Sequence, residues 1–564
     1  MRTTPCRLAS GWTCLLALLL APASHSAPLK VSFVAPARSI EAYDFVEVTA
    51  RVEQPDVANP FTGATLTGSF GKADAGPRAE IAGFCDSDDG SVFRVRFMPA
   101  APGDYTYSVA YKQGDFVRTE SGTFHVADGR RRGPLRVDPQ YPWHFVWEGT
   151  GEHYFFNGTT AHFLMGWSED RTIDFSLERL HGMKINRVRA LLAGAISQIW
   201  GEPVTRNNLL GPGFTTNLRP WVAANPVNFD NPGIDFARFN TGYWKKWDRM
   251  LRFARDRDLI ISVVLDISTH HAQPAAGSED ERRYIRYAIA RLGAFSNITW
   301  DLGDDIDAYR DAAWMHDTGN YILEHDPYRH LATCHPMQDG PQDRASAWFS
   351  FTSIQNWTRH QHALMLAERE TQKKTGRIIP QVNEEYGYED HYPFWSERPD
   401  ANSADTLRHM AWEIAMAGAY GTTGETPRRG TGVWPNTGGG YVNGRGDDTM
   451  VMLKGYQHMV EFFTSFAWWK TEPHDELVDG GAFCLAQPGE IYAVYLPKTG
   501  DHTVEHAPTN VTIRLAPGTY SARWFDAFSG EVIPLPPVTA TGPPWTSPQT
   551  PGWLDWALLL ERQP

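Results

Sequence analysis

From about residue 140 to 468 the chain alternates short apolar runs with amphipathic stretches, and that rhythm restricts the fold more than any other feature of its 564 residues. Runs at 161–167, 185–193, 259–267, 297–303, 330–335, 349–356, 377–383 and 418–423 read as strands. Segments with helical periodicity lie between them at 174–183, 240–256, 279–293, 308–325, 361–375 and 402–416. The run Leu259 to Leu265 is almost wholly apolar, as a strand covered on both faces must be. Eight such units predict a (β/α)8 TIM barrel with insertions. The Asn- and Pro-rich stretch 194–235 follows the second strand, at the end where barrel loops build active sites, and is expected to wall the cleft.

The flanks have a different grain. Residues 27–135 carry period-two runs such as Val46–Val52 and Val92–Phe97, cut by Pro, Gly and Asp, and predict an N-terminal antiparallel β-sandwich. The basic stretch Gly129–Pro134 reads as a solvated linker into the barrel, which is placed at 140–468. From 471 to 564 the strand-and-turn pattern returns, with Tyr492–Leu496 and Val511–Leu515, and predicts a second, C-terminal β-sandwich. Residues 1–26, with Arg2 and Arg7 before the apolar run Leu15–Ala21, have the form of a signal peptide too short to span a bilayer. The chain is therefore expected to be exported, periplasmic or extracellular, without a membrane anchor.

Removing that leader takes away two arginines and no acid, so the formal charge of −14 becomes more negative. Such a chain has no electrostatic reason to bind nucleic acid or an anionic membrane. Of five cysteines, Cys85, Cys334 and Cys484 remain, one in each expected domain. They form neither a disulfide framework nor a metal-ligand spacing, and read as buried small side chains. The 21 Trp and 21 Tyr would suit sugar faces as well as a large core.

Two acidic doublets carry the chemistry. Asp304-Asp305 ends the fourth strand-like run and Glu384-Glu385 ends the seventh. Carboxylates where buried strands emerge are costly unless paired or used, and a barrel brings strand ends to one face. Two carboxyls across one pocket, one protonated and one ionised, are what glycoside hydrolysis requires. An alternative for the first doublet is capping of the helix expected from 308. The second has no nearby helix to cap.

Ile298-Thr299-Trp300-Asp301-Leu302-Gly303-Asp304-Asp305 resembles the strand-four signature I-x-W-x-L-x-N-E of clan A glycoside hydrolases, and Glu385-Tyr386-Gly387 resembles their strand-seven nucleophile motif. Asn186-Arg187-Val188-Arg189 looks like the clan's strand-two N-x-V-R, whose arginine supports the nucleophile. Within the clan the chain is most similar to a bacterial group that includes the apiosidases, with L-G-G-D on strand four and E-P-x-Y-E on strand seven. The resemblance implies a retaining glycosidase with Asp305 as acid/base, Glu385 as nucleophile and Arg189 donating to Glu385. It departs from the clan in having Asp304-Asp305 for Asn-Glu, which bears on the sugar recognised.

Asp304 and Glu384 are assigned to positioning. Trp167 and Trp357 are expected as sugar platforms or core, and Gln355 as a polar sugar contact. Tyr386 and Tyr388 are expected beside the nucleophile or in the rim, and Glu425 after strand eight in a subsite. His162, within the first run, reads equally as a core histidine. His270 and His271, with Asp266, lack the spacing of a metal site and are read as subsite contacts. No metal or cofactor is expected, and the partner is a poly- or oligosaccharide, cleaved with a slight preference for exo-action. A polysaccharide lyase and a non-catalytic carbohydrate-binding scaffold are the alternatives.

Overall fold

The computed structural model describes residues 27–564 apart from 75, 195–197, 200–201, 204–212, 216, 229–230, 267–272, 390–401, 426–443, 445–451 and 498–508. At its centre, strands pair in parallel in one sheet: β1 Asn157–Thr160, β2 Arg187–Leu191, β3 Ile260–Val264, β4 Ile298–Asp301, β5 Ala332–Thr333, β6 Ile354–Gln355, β7 Val382–Glu385 and β8 Tyr420–Glu425. The hydrogen-bonded order runs from β5 through β1 to β8 and on to β6. A parallel bridge from Ala332 to Phe349, which leads into β6, joins the two ends. This closure fits a TIM barrel. Helices α1 Asp170–Gly182, α2 Thr241–Arg255, α3 Glu279–Leu292, α4 Ala312–His325, α5 Gln361–Lys373, α6 Ala404–Met416 and α7 Met452–Phe463 follow every strand except β5.

Local chemistry sets the helix starts. The side chains of Asn240, Ser278, Asp311 and Ser403 accept from backbone N–H groups in the first turns of α2, α3, α4 and α6, relieving donors that have no partner within the helix. After β5 the chain crosses to β6 without a helix among the described residues. Its flank is filled instead by Trp348, which lies so close to Gly319 of α4 that a Cβ there would sit 2.1 Å from the indole.

The first strand differs from expectation. It occupies Asn157–Thr160, and the apolar run at 161–167 is turn and a 3₁₀ helix at Leu164–Gly166. Apolar content marks burial rather than extension, and this run is buried over the mouth of the barrel. The strand itself is short and polar because its neighbours press closely: a Cβ on Gly158 would lie 2.3 Å from Thr422 Oγ1. Below it, an antiparallel sheet of Leu135–Val137, Phe145–Trp147 and His153–Tyr154 covers the barrel floor. Phe145 meets Phe156, Phe351 and Tyr420 there at ring distances of 5.7, 5.7 and 5.6 Å.

The flanking regions dock through buried charge. Residues 30–127 form a four-stranded and a five-stranded sheet around their own apolar cluster. Arg96 leaves that unit to make a two-pronged contact with Asp248 of α2 at 2.9 and 2.8 Å. Arg291 of α3 meets the same carboxylate at 2.8 Å and Asp86 at 2.9 Å. The C-terminal region is a six-stranded sheet with an added two-stranded ribbon. Cys484, Val494 and Leu558 face its own cluster, while Leu485, Tyr495 and Leu559 face the barrel core, the period-two alternation of a strand with two dry faces. Asp555 reaches Arg408 and His409 of α6 at 3.0 and 2.5 Å. Among the described residues no helix is long and apolar enough to cross a membrane.

Asp248→Ala takes from two buried guanidinium groups the carboxylate they share, leaving Arg96 with Glu47 and Arg291 with Asp86, where the N-terminal unit meets the barrel. Denaturant titration is expected to show a loss of about 3–5 kcal/mol; an unchanged midpoint would mean that solvent already screens this contact.

Candidate active site

The barrel interior holds charge where apolar layers are usual. Arg187 and Arg189 on β2, Asp301 on β4 and Glu384 on β7 are fully buried. Arg187 donates to Glu384 at 2.8 Å and to Ser262 Oγ at 2.7 Å, with its guanidinium over the rings of Phe156 and Phe351. Arg189 donates to Asp304 at 2.8 Å and to Asp301 at 3.3 Å, and its Nε lies 3.8 Å from Glu384. Burial pushes the Glu384 carboxyl up, but Arg187 and then Arg189 overcome this and hold it below its ordinary range. At Asp301 burial wins over Arg189, and its pKa is raised.

At the mouth the two doublets separate. Asp304 is buried; the pull of His162, Arg189 and His335 outweighs its burial and holds it well below the usual carboxylate range. Arg189 makes the direct contact, since burial pushes His162 itself down. Asp305 is half-buried and left-handed, with φ 49° and ψ 39°, a conformation that Asp tolerates better than most residues. Gly303 lets the turn form: a Cβ there would lie 2.5 Å from Ile306 Cδ1. Asp305 begins a 3₁₀ helix at Ile306–Ala308 without a capping hydrogen bond, and α4 starts later with Asp311 as its cap. The capping alternative for the first doublet is thereby excluded. Asp305 Oδ1 has no hydrogen-bond partner among the described residues. Burial, then Asp304 and Glu385, push its pKa up to about 7.

Glu384 and Glu385 lie within β7 rather than after it. The pairing of β6 with β7 shifts register between Ile354 and Gln355, opposite Asn383 and Glu385. Such an irregularity re-aims side chains at a barrel rim. Glu384 points down to the arginines. Glu385 accepts from Gln355 Nε2 at 3.1 Å, and its Oε2 lies 3.5 Å from His335 Nε2. The expected donation from Arg189 to Glu385 is not what forms. Arg189 serves Asp304 and Asp301, because the carboxylate in place of the clan's asparagine offers it a charged partner across the barrel.

Residues 203–426 match the family model described as apiosidase-like, catalytic domain. The matched stretch spans β3 to β8, and the barrel is that of a glycoside hydrolase. Residues 39–112 match a domain of unknown function, DUF5060. A candidate glycoside hydrolase from Bacteroides vulgatus superposes with a TM-score of 0.71 at 19% identity, covering 93% of this chain and all of that one. A family 5 glycoside hydrolase from the same organism gives 0.55 at 15% identity, covering 76% of this chain and 93% of its own length. At such identities the likeness speaks for the fold. No curated protein matches the chain.

In this glycoside hydrolase the structure gathers Asp304, Asp305, Glu384, Glu385, Arg189 and Gln355 at the carboxyl ends of the barrel strands. Trp357 is part-exposed and meets the buried Tyr388 edge-on at 5.5 Å, so Tyr388 supports the rim. Two residues fall elsewhere. Trp167 is buried and packs against Phe214 at 5.3 Å. Tyr386 is buried in the core behind β7, close enough to Gly421 that a Cβ there would clash with its ring. His270, His271 and the side chain of Glu425 lie outside the described residues. His335 and Asp301 were missed. His335 follows β5 just as Asp305 follows β4, so a search for titratable residues after each strand would have found it.

Asp304, His335 and Glu385 bring one ligand-type atom each within 4.8 Å of one another, a spacing that admits a cation. Arg189 already supplies positive charge to Asp304 at 2.8 Å, which favours an ion-paired carboxylate over a metal ligand.

The shift at Asp305 has a consequence for stability. Because its pKa in the fold lies above the unfolded value, near 4, its contribution is complete in acid and lost as pH rises towards about 7. Asp305→Asn is therefore expected to melt higher than the native protein at pH 8, with the gap closing by about pH 4. Parallel melting curves across pH would show the reverse trend if Asp305 were stabilised as an ion.

Proposed function

We propose that this glycosidase hydrolyses poly- or oligosaccharides with retention, using Asp305 as acid/base and Glu385 as nucleophile. The reading rests on one observation: two carboxyls share the mouth in unlike settings, Asp305 with a raised pKa and Glu385 held by a hydrogen-bond donor. Asp305 is half-buried, unpartnered at Oδ1 and raised to about 7, as a group must be to hand a proton to a leaving oxygen. Glu385 receives a hydrogen bond from Gln355 and faces the ring nitrogen of His335, contacts that orient its carboxylate for attack on the anomeric carbon. The first step forms the Glu385–C1 bond and breaks C1–O as the Asp305 proton passes to the leaving oxygen. In the second, Asp305 takes a proton from water, which displaces Glu385.

Asp304, held ionised by Arg189, would accept hydrogen bonds from sugar hydroxyls where the clan's asparagine both donates and accepts. The leader at 1–26 supports export, and the insertion at 194–235 supports a cleft closed at one end and hence exo-action.

On a panel of 4-nitrophenyl pentosides, hexosides and uronides, Glu385→Gln is expected to lose about 10⁴-fold or more in kcat. Asp305→Asn is expected to lose about 10²–10⁴-fold on unactivated oligosaccharides, while nearly retaining kcat/KM on 2,4-dinitrophenyl glycosides, which depart without a proton. Native kcat/KM on unactivated substrates is expected to fall as pH rises through about 7, and Asp305→Asn is expected to lack that limb. An inverted anomer in the first-formed product, seen by proton NMR, would sink the nucleophile assignment. An unsaturated uronate product would replace hydrolysis with elimination.

A further inference from the structure

We propose that His335 is the positioning residue that holds the nucleophile, an imidazole bracket tying the acid strand to the nucleophile strand. The inference rests on the assignment of Glu385 above. Among the described residues, His335 is the only cationic side chain within ion-pair distance of Glu385, at 3.5 Å. The same Nε2 lies 3.8 Å from Asp304, and no hydrogen bond closes on it among the described residues. The ring is fixed from behind, with Nδ1 3.0 Å from Ser353 Oγ, and its side chain is fully buried.

The backbone completes the bracket. His335 N–H donates to Gly303 O at 3.1 Å, and His335 O accepts from Ile306 N–H at 3.0 Å. One residue of β5's end thus grips both sides of Asp304-Asp305 through its main chain and Glu385 through its ring. A displaced His335 would disturb acid and nucleophile together.

The charged groups facing this ring are Arg189 of β2, Asp301, Asp304 and Asp305 at the end of β4, Glu384 and Glu385 of β7, and His162 after β1. Burial and Arg189 push its proton off, but the nearby carboxylates of Glu385 and Asp304 prevail, leaving its pKa raised. Unlike an arginine, an imidazolium can release that proton, so the pairing of Glu385 is lost on the alkaline side.

The test uses the full chain. Nitrogen-15 NMR of labelled histidines, without substrate, is expected to show His335 titrating above the ordinary histidine range. Its titration should move down by about one pH unit or more in Glu385→Gln, with His335→Gln assigning the signals. On a 4-nitrophenyl glycoside that the native enzyme cleaves, His335→Gln should lose about a hundredfold in kcat, with the acid limb of its pH profile shifted upward. Ser353→Ala should shift that limb the same way with a smaller loss, and it carries the test if His335→Gln does not fold. A dead Glu385→Gln with an unshifted His335 overturns this inference alone, as do unmoved limbs in both ring variants. Native-like turnover by Glu385→Gln overturns the nucleophile assignment and this inference with it. Activity lost on dialysis against EDTA and restored by Zn²⁺ would instead give Asp304, His335 and Glu385 to a cation.

Discussion

The structure depends on a column of opposite charges sealed inside the barrel. Isolated charges there would be prohibitive, and each is tolerated because it answers another. Arg187 and Glu384 neutralise one another low in the barrel, and Arg189 spans Asp301, Asp304 and Glu384 above them. The arrangement fixes which carboxylates are committed to structure. With Asp304 and Glu384 held by arginines, Asp305 and Glu385 are left to face the opening. The division of labour within each doublet therefore follows from what lies beneath it.

The surrounding domains use the same device at larger scale. Arg96 and Arg291 share Asp248 on one side, and Arg408 and His409 share Asp555 on the other. Each cluster joins a β-rich unit to helices on the barrel's outside. Buried pairs of this kind add little net stability over apolar packing but punish misplacement, because a displaced partner leaves a charge without an answer.

Much of this was legible in the sequence. The barrel followed from alternating periodicity, and seven of the eight strand-like runs overlap barrel strands. The first failed because a buried turn over the mouth is as apolar as a strand, while the true β1 is polar and packed around a glycine. Both doublets were found from their positions after strand-like runs. What the sequence could not supply was the pairing across the barrel. An inward arginine on β2 has several inward carboxylates within reach, and only the three-dimensional register shows that Arg189 meets Asp304 rather than Glu385. His335 was passed over because its strand is two residues long and gives little periodic signal.

The crossing from β5 to β6, where Trp348 stands in for a helix, has a further implication. His335 and Gln355 belong to one continuous stretch with no helix to absorb a change in length, and both face Glu385. An insertion there would slide the two contacts out of phase with each other. A lineage diversifying its substrates, or an engineer grafting loops, would find this crossing closed to changes of length.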